Sequence, residues 1–509
     1  MSKSRNMHKE YVAEDVRWDA KVGAVMRYES HSGEERLHML DAIGVSTVEE
    51  LFAPIPRRLR RSGLGLPPGL TEPEVRARVE ALAGADRPLG PASFLGAGCY
   101  RHFVPAAVRA LTARSEFATP YTPYQAEVSQ GTLQHIFEFQ TCICELTSLD
   151  IANASLYDGP SALAEAAFMA LRLTQREGML ISAGVHPEAT QVVETYAAGP
   201  GLAVRQWPLD PRSGATDIHS GLLAVDRPEA PSASPADSIG AVLVQQPNRL
   251  GVVEDLEPLA EAAHAVGALL VVAVNPATLG ILEAPGEAGA DIAVGDVQVF
   301  GNAASFGGPS AGFLACRETH ARQIPGRLVG QTVDQDGRTC YTLTLQAREQ
   351  HIRRGKATSN ICSNQALSAL AATIHLALLG PQGLRDLGLI CLGRAHYLQA
   401  GLCALAGVKL LVEGPFFNEF ALRLPYAASS FVAAMHDRGV DPGVPLGRLL
   451  RGLRHTGAAG GSPADVAAAE NVLLVAVTEL NTPEALDRYL VSAREVLPRL
   501  APAPMKRGR

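Results

Sequence analysis

The stretch Gly289-Ala-Asp-Ile-Ala-Val-Gly-Asp-Val-Gln-Val-Phe-Gly301, followed by Ser305-Phe-Gly-Gly-Pro309, decides the fold class of this chain. Its apolar run leads into glycine-rich sequence, which predicts a buried strand followed by a turn. Similar apolar runs alternate with amphipathic helical segments along the chain, at residues 178–182, 202–207, 240–245 and 268–274. Buried strands separated by helices are typical of parallel α/β layers. We therefore predict an α/β fold with a mainly parallel sheet.

The pattern of apolar runs and prolines divides the chain into parts. We assign residues 1–30 to an N-terminal extension, 31–90 to a helical lead-in, 91–375 to a large α/β domain, 376–500 to a smaller α+β domain and 501–509 to a tail. In the smaller domain we predict strands within 408–412, 416–425 and 471–479 and a helix at 483–496. In the lead-in, a helix is predicted to end on Gly44, and Ser46 with Glu49 predicts a capping box for the next helix.

The composition excludes several classes of protein. With 47% hydrophobic residues, 19% charged residues and a net charge of −7, the chain is typical of a soluble globular protein and not of a nucleic-acid or anionic-membrane binder. No apolar run approaches the roughly 20 residues that span a bilayer, and the N-terminus lacks the apolar core of a signal peptide. The eight cysteines include no CxxC pair. We expect reduced thiols, a cytoplasmic location and no metal site.

A proline-stiffened segment, Thr119-Pro-Tyr-Thr-Pro-Tyr-Gln-Ala-Glu-Val-Ser-Gln-Gly131, precedes a predicted helix and is called the aromatic loop below. It carries Tyr121, Tyr124, Gln125 and Glu127. Such a loop can present polar tips at a cleft with little ordering cost. The alternative is a turn that only caps the domain, and the residues alone leave both interpretations open.

A second motif is Ala154-Ser-Leu-Tyr-Asp-Gly-Pro-Ser-Ala-Leu-Ala-Glu165, in which a strand is predicted to end and a helix to begin near Pro160. The free N–H groups and dipole of a helix N-terminus can receive a phosphate. An ordinary N-cap explains the same residues equally well.

A third motif concentrates positive charge in residues 348–356, called the basic segment below. It could bind a carboxylate, a phosphate or an acidic partner surface, but a solvated helix face is the usual explanation for such a run. Its candidate contact residues are Arg348, His351, Arg353, Arg354 and Lys356.

Motifs spread over residues 27–496 carry a resemblance to a known family. They include MLDAIGV, SFLGAGCY, YTPYQAEVSQG, IANASLYDG, GADIAVGD, SFGGPSAGFLA, PGRLVGQTVD, LQAREQHIRRGKATSNIC and FFNEF. In this order they resemble the α subunit (subunit 1) type of glycine dehydrogenase (decarboxylating), the P-protein of the glycine cleavage system.

The resemblance implies a fold, a reaction and partners. It implies the fold of pyridoxal-phosphate (PLP)-dependent aminotransferases, fold type I, with a large domain and a smaller C-terminal domain. It implies PLP-dependent decarboxylation of glycine and transfer of the aminomethyl group to the lipoamide arm of H-protein. It also implies an α2β2 heterotetramer, in which the β subunit (subunit 2) carries the Schiff-base lysine and holds most of the PLP.

The chain departs from a PLP-binding pattern at several positions. No lysine lies between Lys21 and Lys356, and aligned to the lysine-bearing type the Schiff-base position falls near Gln298 or Val299. The acid that would pair with the pyridinium nitrogen falls near Val272 or Ala273. Gly159 and Ser161 stand where phosphate contacts are expected, but Pro160 between them has no N–H. His186 lies near the position of a ring-stacking histidine, and a surface histidine is the alternative.

These departures lead to three interpretations. The first is a subunit that is active only with its partner, in which Tyr121, Tyr124, Gln125 and Glu127 line or brace the shared active-site mouth. In that case the basic segment contacts the β subunit or an acidic H-protein. The second is a pure scaffold that stabilises the β subunit and docks H-protein. The third is a self-sufficient PLP enzyme that uses Lys356.

Overall fold

The computed structural model describes residues 31–61, 65, 67–86, 90–119, 121–218, 238–452 and 463–500. The chain forms two compact units, Met1–Arg87 and Pro88–Arg509. The predicted N-terminal extension and the tail at 501–509 lie outside the described residues.

The first unit contains the helices α1 (Gly33–Ile43) and α2 (Glu72–Ala85). Helix α1 ends, as predicted, on Gly44, which adopts the left-handed conformation with φ 84°. The capping box predicted at Ser46 and Glu49 is wrong by one residue. The next turn is a 3₁₀ helix that begins after Thr47, and it is Glu50 that accepts from the Ser46 N–H at 3.2 Å and the Thr47 hydroxyl at 3.0 Å.

Seven strands form the large sheet within the described part of the second unit, in the order β1-β7-β6-β5-β4-β2-β3. The strands β2 to β6 run parallel, whereas β7 is antiparallel to both β6 and β1. The apolar runs predicted as strands are confirmed. The bounds are β1 Ile151–Ala152, β2 Gly178–Ser182, β3 Ala203–Trp207, β4 Ile239–Gln246, β5 Leu269–Val274, β6 Ile292–Asp296 and β7 Gly312–Cys316.

Helices cover both faces of this sheet. The helices of this part of the chain are α3 Ala106–Thr112, α4 Gln130–Thr147, α5 Gly159–Thr174, α6 Pro187–Ala198 and α7 Leu256–Ala265, of which α4 to α7 pack on the sheet. In β4, Leu243 belongs to the core that contains α5, and its neighbour Val244 belongs to the core that contains α7. Each such buried side chain contributes about 1.5–3 kcal/mol. Burial on both faces is why the strands are continuously apolar in the sequence.

A hairpin that the sequence analysis did not predict packs on helix α4. Its strands are β8 (Val329–Val333) and β9 (Thr339–Leu343). The side-chain amide of Gln130 both donates to and accepts from the backbone of Tyr341, at 2.9 Å each. The amide of Gln140 pairs in the same way with the backbone of Val329, at 3.0 and 2.9 Å. The two glutamines thereby satisfy backbone groups of the hairpin.

A short helix, α8 (Gln350–Arg353), is followed by the long helix α9 (Ala366–Cys403), which is kinked where Gly380 precedes Pro381. By length and composition α9 could cross a membrane, but 44% of the apolar 18-residue stretch on which this rests is buried in the fold. Residues on both sides of the kink, as far as Cys391, pack in the core with Phe300, and those from Ala395 onward pack in the core with Phe420. We therefore describe α9 as a core helix.

The C-terminal part of the chain is built on a second sheet. In the described residues its order is β10-β11-β13-β12, all antiparallel. The predicted helix at 483–496 is confirmed, and the predicted strands are shorter than expected. The bounds are β10 Lys409–Leu410, β11 Glu419–Arg423, α10 Ala428–His436, β12 Val444–Pro445, α11 Leu446–Gly452, α12 Pro463–Ala468, β13 Val472–Ala476 and α13 Pro483–Val496.

One close approach between the loop after β4 and strand β11 gives a test of the packing. Gly251 has φ +84°, and a Cβ built on it would lie 2.0 Å from the carbonyl oxygen of Glu419 in β11. We expect Gly251→Ala to lower the free energy of unfolding by about 2–4 kcal/mol, from backbone strain plus overpacking. The control is Gly337→Ala, because Gly337 has φ +76° with nothing within 4 Å of its Cβ position. Equal losses in urea unfolding would show that the contact with β11 is not tight.

Candidate functional site

A cavity of about 430 Å³ lies at the carboxyl ends of the parallel strands. Ligands of open α/β sheets bind at this edge, because the loops that follow the strands meet there. The wall includes Gln245 near the end of β4, Asn275 after β5 and Asp296 at the end of β6, together with Gly159 and His186 at the starts of α5 and α6. The arrangement therefore follows from the sheet order.

The region predicted to correspond to the Schiff-base position lies in the cavity wall and contains no amine. Both Gln298 and Val299 line the cavity, and no lysine is among its lining residues. The Gln298 side chain donates to the carbonyls of Tyr100 and Asn302, at 3.0 Å each, so its amide is held by backbone. Lys356 lies in an exposed 3₁₀ turn and does not line the cavity, which leaves the self-sufficient interpretation without support.

The start of helix α5 has its donors already engaged. The N–H of Gly159 donates to Asp296 at 3.0 Å, and the N–H of Ser161 donates to the side chain of Asp158 at 2.7 Å. The next N–H, from Ala162, donates to the Asp158 carbonyl at 3.0 Å, and Pro160 has none. Gly159 lines the cavity, as the sequence suggested for a phosphate contact, whereas Ser161 does not.

Asp296 was not singled out from the sequence, and it is the charged group with the most contacts in the cavity wall. Its carboxylate accepts from the N–H groups of Gly159 and Gln298 at 3.0 and 2.8 Å and from the hydroxyl of Ser310. Burial raises the pKa of Asp296, while these hydrogen bonds lower it. A phosphate at the start of α5 would meet this carboxylate and that of Asp158, and would find no free N–H. The residues around the cavity therefore do not fit PLP.

The position at which an acid was sought also lies in the cavity wall. Ala273 faces the cavity at the position where an acid was sought, while Val272 is buried in the core with α7. His186 lies in the cavity wall, and its Nδ1 accepts from the Glu188 N–H at 3.3 Å. Burial lowers the pKa of His186, so a neutral ring protonated on Nε2 is favoured. The acid on this side of the wall, Glu188, lies beside His186 at the start of α6, and none stands at the position of Ala273.

One wall of the cavity is held by a glutamate from the second sheet. Glu419 accepts from the N–H of Ala97 at 2.6 Å and from the hydroxyl of Tyr100 at 2.9 Å. Burial raises the pKa of Glu419, and the two hydrogen bonds lower it. Glu419 belongs to the FFNEF motif, and nothing in that motif indicates that its partners lie more than three hundred residues away.

The aromatic loop and the basic segment meet at one surface. Tyr124 contacts Tyr121 and His351 edge to face, with ring centroids 5.9 and 6.0 Å apart. Arg327, which the sequence analysis missed, donates to the Tyr124 hydroxyl at 2.8 Å and pairs with the carboxylate of Glu349. Tyr121 is 73% exposed and Tyr124 46% exposed. This surface is therefore anchored from below by Arg327.

The residues predicted from the aromatic loop and the basic segment differ in exposure and in their distance from the cavity. The aromatic-loop residues, with Gln125 and Glu127 exposed like the tyrosines, do not line the cavity. Arg348 does not belong to an exposed cluster, because its guanidinium is turned inwards onto the Ile324 carbonyl and burial lowers its pKa to about 10. The exposed members of the basic segment are His351, Arg353, Arg354 and Lys356.

One further group combines metal-ligand types. Ligand atoms of His102, Cys391 and Glu479 lie within 4.8 Å of one another. The carboxylate of Glu479 already accepts from the His102 ring at 2.8 Å and from the Phe103 N–H at 2.6 Å. Burial raises the pKa of the Cys391 thiol. These hydrogen bonds account for the group, because they anchor the segment at His102 and Phe103 on Glu479. The expectation that the chain has no metal site stays a prediction.

The comparison that decides the family is a match over residues 26–442 to the family described as "Glycine cleavage system P-protein". The chain belongs to the glycine cleavage system P-protein family. Among P-protein relatives, the protein of Geotalea uraniireducens named "Probable glycine dehydrogenase (decarboxylating) subunit 1" is 46% identical over 91% of this chain and 98% of its own length. The corresponding protein of Moorella thermoacetica is 45% identical over 93% of this chain and 100% of its own length.

A solved P-protein structure agrees with this assignment. Glycine decarboxylase (P-protein) of the glycine cleavage system, in inhibitor-bound form, is 44% identical, with a TM-score of 0.79, over 93% of this chain and 100% of that chain. The predicted fold type I of PLP-dependent enzymes is confirmed. This P-protein family member is thus a glycine decarboxylase subunit 1 of the glycine cleavage system.

The buried acid at the cavity wall gives a pH prediction. Because the folded pKa of Glu419 is raised above its unfolded value near 4.5, the folded state binds more protons, and its contribution to stability falls as pH rises above that value. We expect Glu419→Gln, which keeps an acceptor for Ala97, to reduce the fall in melting temperature that wild type shows as the pH rises above about 4.5.

The matched control has the opposite sign. Burial raises the pKa of Glu479, but the hydrogen bond and charge of His102 together with backbone hydrogen bonds outweigh this effect, so that the net shift of the pKa is downward. Glu479→Gln should therefore remove stability that is present at neutral pH and absent in acid. An unchanged pH profile for Glu419→Gln would show that Glu419 is not the titrating group.

Proposed function

We propose that this subunit catalyses glycine decarboxylation only together with a partner subunit that supplies the Schiff-base lysine, in an α2β2 heterotetramer. PLP supplies the electron sink for decarboxylation and is held mainly by the β subunit. The aminomethyl group then passes to the lipoamide arm of H-protein. The observation that carries the proposal is the cavity wall at Gln298, where an amide held by backbone carbonyls stands in the place of an amine.

The charge of the same cavity supports this division of labour. Asp158 and Asp296 engage the N–H groups at the start of α5, and Ala273 leaves no acid beside a pyridinium nitrogen. The subunit therefore contributes surface and structure to the complex, and the cofactor chemistry belongs to its partner. The eight free cysteines support a cytoplasmic location, and the net charge of −7 speaks against nucleic acid as a partner.

The direct experiment is absorption spectroscopy of the purified chain with added PLP, alone and then with the β subunit. A Schiff base, fixed by borohydride reduction, is expected only when the β subunit is present. Mass spectrometry should place the reduced adduct on a lysine of the β subunit. An adduct on this chain alone would refute the proposal and make Lys356 the residue to test.

The aromatic loop is proposed to brace the mouth of the shared active site, through Tyr121, Tyr124, Gln125 and Glu127. We expect Tyr124→Ala to lower the rate of glycine decarboxylation by the assembled complex at least about tenfold, because the loop loses its ring contacts and its anchor on Arg327. Tyr124→Phe keeps the rings and loses only the hydroxyl, so a smaller loss is expected. Wild-type rates for Tyr124→Ala in a normal assembly would remove the loop from the active-site mouth.

The exposed part of the basic segment is proposed to contact the partner subunit or H-protein. We expect Arg353→Glu with Arg354→Glu to weaken binding of one of them, with a difference from wild type that shrinks at high salt. The matched control is Lys409→Glu with Arg423→Glu, since these exposed cations face each other across β10 and β11. Binding that is equally affected by both pairs would indicate a general charge effect and not a contact.

The scaffold interpretation remains the alternative function. The exposed surface formed by the aromatic loop and His351 also suits a subunit that only stabilises its partner and docks H-protein. Native mass spectrometry of the Tyr124→Ala complex separates the two. Loss of assembly favours the scaffold, whereas loss of turnover in an intact heterotetramer favours a contribution to the active site.

A further inference from the structure

We propose that Asp296 is a built-in replacement for a bound phosphate: its carboxylate occupies the anion position at the start of α5 and joins α5, β6 and β7 without a cofactor. The inference rests on the proposed function in one respect, namely that this subunit carries no PLP of its own. It goes further by assigning the residue that makes the large domain independent of the cofactor.

The first argument is the position of the carboxylate. A helix N-terminus carries unpaired N–H groups and a partial positive charge, which favour an anion. In this chain the first N–H of α5 is bound by Asp296, a residue 137 positions further along the chain. The ordinary N-cap is Asp158, which binds the Ser161 N–H. Asp296 is therefore a second anion in addition to the cap.

The second argument is the origin of the donors. One oxygen of Asp296 accepts from the Gly159 N–H of α5 and the Ser310 hydroxyl, and the other accepts from the N–H groups of Gln298 and Ala311, at 2.8 and 3.5 Å. These donors belong to the start of α5, the turn after β6 and the approach to β7. Donors from separate loops that converge on one anion are what binds a phosphate group elsewhere.

The third argument is space. A Cβ built on Gly159 would lie 3.3 Å from the Cβ of Asp296 and 3.5 Å from its backbone nitrogen. The end of β6 thus lies close to the start of α5, and the carboxylate of Asp296, 3.0 Å from the Gly159 N–H, fills the space that a phosphate would need there. Burial raises the pKa of Asp296, whereas its four hydrogen bonds lower it. These hydrogen bonds favour the charged carboxylate in a buried position, as they would favour a bound anion. The donors are Ser310, Gln298, Gly159 and Ala311.

The test removes the carboxylate and supplies an external anion. The full-length chain with Asp296→Ala should have a lower melting temperature than wild type, and inorganic phosphate should restore at least half of the loss, since a ligand that binds only the folded state stabilises it. Sodium chloride at the same ionic strength should not. Wild type should not respond to phosphate, because its anion position is filled.

The matched control is Asp210→Ala. The carboxylate of Asp210 also accepts backbone N–H groups, from Arg212 and Ser213 at 3.0 and 2.6 Å, but it caps a turn and no helix. Its loss should lower the melting temperature without any phosphate response. If Asp296→Ala fails to fold, its refolding yield in phosphate against chloride is measured instead, together with Asp296→Asn, which keeps an acceptor and should respond less.

Two results overturn the inference. The first is an Asp296→Ala variant as stable as wild type. The second is a loss of melting temperature in Asp296→Ala that phosphate restores no better than it does in Asp210→Ala. In that case Asp296 would only cap a local turn. Titration of the wild-type chain with PLP distinguishes a failure of the proposed function from a failure of this inference. A Schiff base on the wild-type chain refutes the division between subunits, whereas no binding together with no phosphate response in the variant refutes only the role of Asp296.

Discussion

Parallel strands that all end at one edge of a sheet are the constraint on which the rest of this structure depends. Because β2, β4, β5 and β6 are parallel, their following loops and the start of α5 converge on one cavity. A helix N-terminus at such an edge needs a negative partner. In this chain the partner is a side chain of the sheet itself, and the electrostatic frame of a PLP fold is retained without its cofactor.

The elements that the sequence predicted well are those whose signal is local. The helix Pro483–Val496, the end of α1 on Gly44 and the apolar strands of the large sheet follow from capping residues and periodicity alone. The hairpin of β8 and β9 was missed, although its polar turn between two strand-forming runs was a usable signal. The capping box was misplaced by one residue because a 3₁₀ turn begins later than an α-helix would.

The candidate site was predictable only in part. Motifs located Gly159, His186 and Gln298 near one another, because they follow or begin elements of one sheet edge. The roles of Glu419, Arg327 and Asp296 could not be found, since each depends on at least one hydrogen-bond partner more than a hundred residues away. A run of positive charge likewise does not reveal that one member, Arg348, points into the protein while its neighbours remain in solvent.

The two glutamines of α4 have a consequence for how the molecule meets other chains. A strand edge with unpaired backbone groups is a template onto which any extended peptide can add. Gln130 and Gln140 of helix α4 pair with the backbones of Tyr341 and Val329 and so hold the hairpin against this helix. The N–H and C=O groups of these two residues are then not available to another chain. At these two positions, therefore, neutral amides take the backbone hydrogen bonds that an added strand would otherwise make.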